Sequence, residues 1–87
     1  MTDLSNVTIL IAEDDKPMLG ALTDKFSHEG FNVLEARNGE EALKVALERH
    51  PNLILLDIVM PKIDGLVVLK KLREDEWGKN VPIIVLT

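Results

Sequence analysis

An α/β fold, a parallel sheet doubly wound by helices on both faces, is what these 87 residues predict. Three features point that way. Apolar runs at 7–12 (VTILIA), 52–56 (NLILL) and 82–86 (PIIVL) are nearly continuous rather than alternating, as in strands covered on both faces. The segments between them carry apolar residues at helical spacing. The resulting order, β-α-β-α-β-α-β, requires crossover connections, which are right-handed in parallel sheets.

Each element has its own signals. Strand one, 7–12, is rich in β-branched residues. Helix one, 16–29, places Leu19, Leu22 and Phe26 on one side, with Pro17 near its start, where a missing N–H costs nothing. Gly30 stops it. Residues 32–35 (NVLE) make a short second strand. Asn38-Gly39-Glu40-Glu41 resembles a capping box, with Asn38 as N-cap and Glu41 three residues on, and opens helix two at 39–49. That helix is expected to bury Ala42, Leu43, Ala46 and Leu47. Pro51 closes the turn before strand three, 52–56. Gly65 opens helix three, 65–74, with Leu66, Leu69 and Leu72 on one side, and strand four occupies 82–86. No repeat or linker interrupts the pattern, and 1–87 reads as one domain.

Composition narrows the class of function. With 46% hydrophobic and 29% charged residues the chain is globular rather than disordered. A net charge of −5 and the lack of any basic run argue against direct contact with nucleic acid. There is no cysteine, hence neither disulfide nor thiolate metal ligation. The longest apolar run near the N-terminus, Ile9 to Ala12, is too short for a signal segment or a membrane span. A cytoplasmic protein is expected, with no membrane contact.

In open parallel sheets, binding and reactive groups collect at the carboxyl ends of the strands. Strand one runs into Glu13-Asp14-Asp15, strand three into Asp57, and strand four into Thr87. If strands one and three are neighbours, Glu13, Asp14 and Asp57 converge. Three carboxylates at close range repel, so at least one should hold its proton unless a cation intervenes. A hard divalent ion with oxygen ligands, Mg2+, resolves that conflict. A carboxylate is also a competent nucleophile toward phosphorus, so Asp57 is the expected phosphoacceptor.

The stretches AEDD after strand one, DIVMPKIDG after strand three and VPIIVLT closing strand four together resemble the receiver domain of two-component response regulators. The resemblance runs the length of the chain. It implies a CheY-like, flavodoxin-like sheet of order 2-1-3-4, an order taken from the family and not from the residues. It further implies that Asp57 is phosphorylated and that Glu13 and Asp14 are the acidic pair, Asp14 ligating the metal directly. Val59 would ligate it through its backbone carbonyl, and Thr87 would contact the phosphoryl group as a switch. Met60 and Pro61 would shape the loop after strand three, and Gly65 would let helix three begin. The phosphodonor so implied is a histidine kinase or phosphotransfer protein, and the cofactor Mg2+.

Plainer roles are expected for other residues. Asp15 caps helix one, Asp64-Gly65 forms a turn and N-cap, His28 and His50 are solvated, and Trp77 anchors the loop before strand four. Lys70, Lys71 and Arg73, set against Glu74, Asp75 and Glu76, read as a solvated helix face, while Lys16 and Lys62 lie in loops near the acidic cluster. A full receiver continues past the fourth strand with a helix, a lysine-bearing fifth strand and a last helix, so this sequence reads as a receiver truncated after Thr87. Two functions follow: a phosphoacceptor module, or a non-switching interaction fragment of one. An aspartate-nucleophile hydrolase is weaker, because Val59 stands where such enzymes carry a second acid. Truncation would impair phosphorylation, leave the faces of strands one, three and four open, and favour self-association through the edge of strand four.

Overall fold

Seven elements form in the expected order in the computed structural model, which describes residues 4–86. They are β1 (Thr8–Ala12), α1 (Lys16–His28), β2 (Asn32–Ala36), α2 (Gly39–Arg49), β3 (Leu53–Asp57), α3 (Gly65–Glu74) and β4 (Ile83–Leu86). The sheet is parallel throughout, in the order β2-β1-β3-β4. The strand order implied by the family resemblance is therefore the observed one. Boundaries shift by a residue at several ends, and one shift has chemical meaning: β3 runs through Asp57 instead of stopping before it.

Side-chain caps decide where the helices start. Asp15 accepts a hydrogen bond from the Met18 N–H at 2.9 Å, Asn38 from Glu41 at 2.8 Å, and Asp64 from Leu66 and Val67 at 2.9 and 3.1 Å. Each satisfies donors that the first helical turn leaves unpaired. At the far end of α1, Gly30 has φ 104°, a conformation that favours glycine, and its N–H returns to Ser27.

Alternation along the strands assigns the two faces. Ile9, Ile11 and Leu55 point to one side and are covered by Leu19 of α1. Leu10, Ala12, Ile54 and Leu56 point to the other, under α2 and α3, where Ala42, Ala46, Val68 and Leu72 meet them. Burying each large aliphatic side chain contributes about 1.5–3 kcal/mol.

Of the side chains expected inward, Ala42, Ala46 and Leu72 are buried and Leu43 and Leu69 pack against the core, while Leu47 and Leu66 do not. Val68 and Leu72 are the buried side chains of α3, whereas Leu66 is 57% exposed; α2 buries its alanines and leaves Leu47 outside. The small residues Ala42 and Ala46 let α2 approach the sheet closely. The expectation that β1 and β3 lie open is also overturned: none of Ile9, Leu10, Ile11, Ala12, Ile54, Leu55 and Leu56 is more than 5% exposed. One helix suffices on the α1 side because β1 and β3 are central. Among the described strand residues, the exposed large hydrophobics are Ile84, at 52%, and Val85, at 37%, both in β4.

The helix face at 70–76 is not merely solvated. The Arg73 guanidinium donates to the carbonyls of Gly78 and Val81 at 2.9 and 2.7 Å, and the Asp75 carboxylate accepts from the N–H groups of Trp77 and Gly78. The Trp77 ring stacks on His50 with centroids 4.4 Å apart and planes 9° from parallel. His50 ends α2 in the left-handed conformation, φ 47°, so it too has a structural role. Trp77 packs against the α2–α3 core, as an anchor should. Among the described residues, no helix is long and apolar enough to cross a membrane.

Leu56→Ala should cost about 2–5 kcal/mol, since the side chain is fully enclosed. Leu66→Ala should stay within about 0.5 kcal/mol despite the same chemical change. Urea unfolding followed by circular dichroism measures both, and comparable losses would contradict the burial pattern.

Candidate functional site

Register builds the site. Ala12 pairs with Leu56 across β1 and β3, so one further step along each strand sets Glu13 level with Asp57. The Glu13 N–H continues the ladder to β2 by donating to Ala36 at 3.0 Å, which fixes its backbone. Carboxylate oxygens of Glu13, Asp14 and Asp57 all lie within 4.8 Å of one another. Asp14 is exposed, Asp57 half-buried, and Glu13 only 8% exposed, the one buried charged side chain among the described residues. Asp15 is occupied at the cap of α1 and stands outside the cluster.

This crowding has the expected electrostatic result. Burial first, then the hydrogen bond shared with Asp57 and the negative charges of Asp57, Asp14 and Asp15, push the Glu13 carboxyl up from 4.5 to about 7. Three oxygen donors, one of them holding its proton against solvent, fit a hard divalent cation: such an ion would neutralise the charges and expel that proton.

The loop after β3 is held at both ends. The Val59 N–H reaches Asp57 Oδ1 at 3.2 Å, while the Val59 side chain is 79% exposed. Met60 turns inward, 8% exposed, and joins the core between the sheet and the helices. Pro61 is exposed and its carbonyl lies 3.4 Å from the Gly39 N–H. Lys62 adopts φ 71°, which its sequence position did not announce. Gly65 donates to the Ile58 carbonyl at 2.7 Å, and a Cβ on it would sit 2.5 Å from both the Asp57 backbone carbonyl oxygen and the Ile58 Cα. Close approach, then, is why glycine begins α3.

An open cleft of about 550 Å³ adjoins the carboxylates, with Glu13, Asp57 and Val59 on one side and Met18, Leu22, Val85 and Leu86 on the other. Its apolar wall is a feature the sequence reading missed; Met18 at 49% exposure was legible only as a residue off the inward side of helix one. Lys16 and Lys62 are exposed and neither lines the cleft. Thr87, expected beside the phosphoryl group, lies outside the described residues.

Comparison with known proteins agrees with the geometry. The signature of the response regulator receiver domain matches residues 9–87. The polar-differentiation response regulator DivK of Brucella ovis is 38% identical over 80 residues, which cover 92% of this chain and 65% of that protein. Histidine kinase P4 of Formosa agariphila is 38% identical over 87 residues, all of this chain and 6% of the kinase. The signal receiver domain of a signal transduction histidine kinase from Syntrophus aciditrophicus superposes with TM-score 0.87 at 31% identity, covering 93% of this chain and 61% of that structure. The chain thus spans less than two thirds of the length of these relatives.

Glu13 carries a pH signature. Its folded value of about 7 exceeds the ordinary 4.5, so the protonated carboxyl stabilises the fold below about pH 4.5 and that contribution is lost as pH rises through 7. In chelator, wild type should therefore lose on the order of 2 kcal/mol relative to Glu13→Gln between pH 5 and 8. Urea midpoints at the two pH values measure this, and parallel pH profiles would refute it.

Proposed function

The chain belongs to the response regulator receiver domain family, and from that premise we propose that it is a phosphoacceptor module in which Asp57 takes a phosphoryl group from a histidine kinase or phosphotransfer protein. The observation that carries this reading is the meeting of Glu13, Asp14 and Asp57 within 4.8 Å at the ends of adjacent strands. Asp14, Asp57 and the Val59 carbonyl would hold Mg2+, with Glu13 assisting once deprotonated; when bound, the ion offsets the negative charge of the carboxylates and the incoming phosphoryl oxygens.

The residues of the chain account for the rest. Asp57 stands at the end of a buried strand, and its Oδ1 is tied to the Val59 N–H. Its other carboxylate oxygen attacks phosphorus, the new P–O bond forms, and the P–N bond to the donor histidine breaks with its electron pair returning to nitrogen. Little covalent work falls to the protein, so positioning is its main contribution. The module catalyses its own phosphorylation and slow hydrolysis and is not an enzyme acting on a separate substrate. Thr87, adjoining β4, would contact the phosphoryl group. A cytoplasmic setting suits this chemistry.

One observation favours a second property, self-association. Ile84 and Val85 leave opposite faces of the β4 edge apolar and exposed, and such an edge recruits another strand. Sedimentation over a concentration range should show a dimer that Ile84→Lys shifts to monomer. A monomer at every concentration would remove the idea.

Incubation with Mg2+ and a small acyl phosphodonor should raise the intact mass by one phosphoryl group. Borohydride trapping and peptide mapping should place it on Asp57, and Asp57→Asn should abolish it. A label on Asp14 or Asp64, or labelling unaffected by chelator, would refute the assignment.

A further inference from the structure

We propose that the first turn of α2 belongs to the phosphorylation site, with Gly39 as a positioning residue that sets where the loop after β3 lies; this rests on the receiver reading of Asp57 and Val59. Helix physics supplies no reason for glycine here. In a helix glycine is about 1 kcal/mol less favourable than alanine. Asn38 already caps the turn, and Gly39 is not among the positive-φ residues. What singles it out is proximity. A methyl group on Gly39 would overlap the Ile63 carbonyl oxygen, with the carbonyl carbon 2.6 Å and the Ile63 Cβ 3.0 Å away.

The rest of the loop explains why that contact matters. Residues 58–64 are pinned at three points: Met60 in the core, Ile58 by the Gly65 N–H, and Asp64 at the cap of α3. Between those points the chain turns through Lys62 at φ 71° and rests on α2, where the Gly39 N–H faces the Pro61 carbonyl. A side chain on Gly39 would force this span outward by on the order of 1 Å to restore ordinary contact distance. Met60 and Asp64 hold the two ends of this span, so pushing its middle outward turns the backbone at Met60 and with it the adjoining peptide of Val59, whose N–H holds Asp57 and whose carbonyl is the proposed ligand. Gly65 clamps the same loop from the α3 side. The loop is therefore gripped between two helix starts, and both grips require glycine.

Two other glycines provide matched controls. A methyl on Gly78 would also overlap the Leu72 carbonyl, less deeply, with the carbonyl carbon 3.0 Å away, but in the turn after α3, among residues that do not line the cleft. A methyl on Gly20 meets nothing within 4 Å. Thermal melts and Mg2+ titrations followed by amide NMR shifts of residues 12–15 and 57–60 compare the three alanine variants, each well below its midpoint. Gly39→Ala and Gly78→Ala should both lower Tm, but only Gly39→Ala should weaken Mg2+ binding, by about tenfold or more, and slow phosphorylation by a small phosphodonor. Gly20→Ala should bind as wild type does. In wild type itself, the Gly39 and Glu40 amides should shift with the same Kd as Asp57, a measurement that stands even if Gly39→Ala fails to fold. Unchanged affinity in Gly39→Ala, equal weakening in Gly78→Ala, or a silent Gly39 amide in a wild type that binds Mg2+ would overturn the proposal alone. A wild type that binds no Mg2+ would overturn the reading of the site beneath it.

Discussion

Two fully buried neighbouring strands that both end in carboxylates impose the condition on which the rest of this structure depends. Burial of Ile9 to Ala12 and Ile54 to Leu56 fixes the register of β1 against β3, and that register leaves Glu13 and Asp57 no freedom to separate. Mutual repulsion could be relieved by a slip along the strands, but a slip of one residue would turn every buried aliphatic side chain to the wrong face. The sheet therefore holds the charges together, and burial with the neighbouring carboxylates pushes the Glu13 carboxyl up to about 7. On the proposed function, that crowding is what a cation or an incoming phosphoryl group would act upon.

Geometry is supplied separately from charge. The strands bring the carboxylates into reach, whereas the loop from Ile58 to Asp64 determines what surrounds Asp57. That loop has little regular hydrogen bonding of its own and is shaped by what it touches: the core at Met60, α3 at Gly65 and α2 at Gly39. A packed loop of this kind has a defined position without a hydrogen-bonded ladder, and its freedom to move is set by contacts that one methyl group can break. The apolar wall made by Met18, Leu22 and Leu86 completes the surroundings from the other side.

Much of this was legible in the residues. Unbroken aliphatic runs and helical spacing suffice for the element order, and the caps at Asp15, Asn38 and Asp64 follow from short polar side chains just before helical periods. The acidic cluster follows once strands one and three are adjacent, but that adjacency came from family resemblance. Local pattern does not encode which strands neighbour one another. The helix faces were legible in part: Leu69 and Leu72 turn to the core as expected, whereas Leu66 is exposed and Val68 takes the buried place beside Leu72. The stacking of His50 on Trp77 and the grip of Arg73 on two carbonyls depend on tertiary approach, which charge pattern does not report, although His50 and Arg73 both stay exposed as expected. Gly39 did leave a trace: a glycine at a helix start that already has its cap has to be there for space.

The fold forces three carboxylates together, and on the proposed function a divalent cation would relieve their repulsion. Carbon-13 NMR of the Glu13 side-chain carboxyl, titrated in chelator and again in saturating Mg2+, tests it most directly. The account predicts a midpoint near 7 in chelator, and a large fall once the ion displaces the proton. A Glu13 midpoint near the ordinary 4.5 in chelator, unmoved by Mg2+, would contradict it.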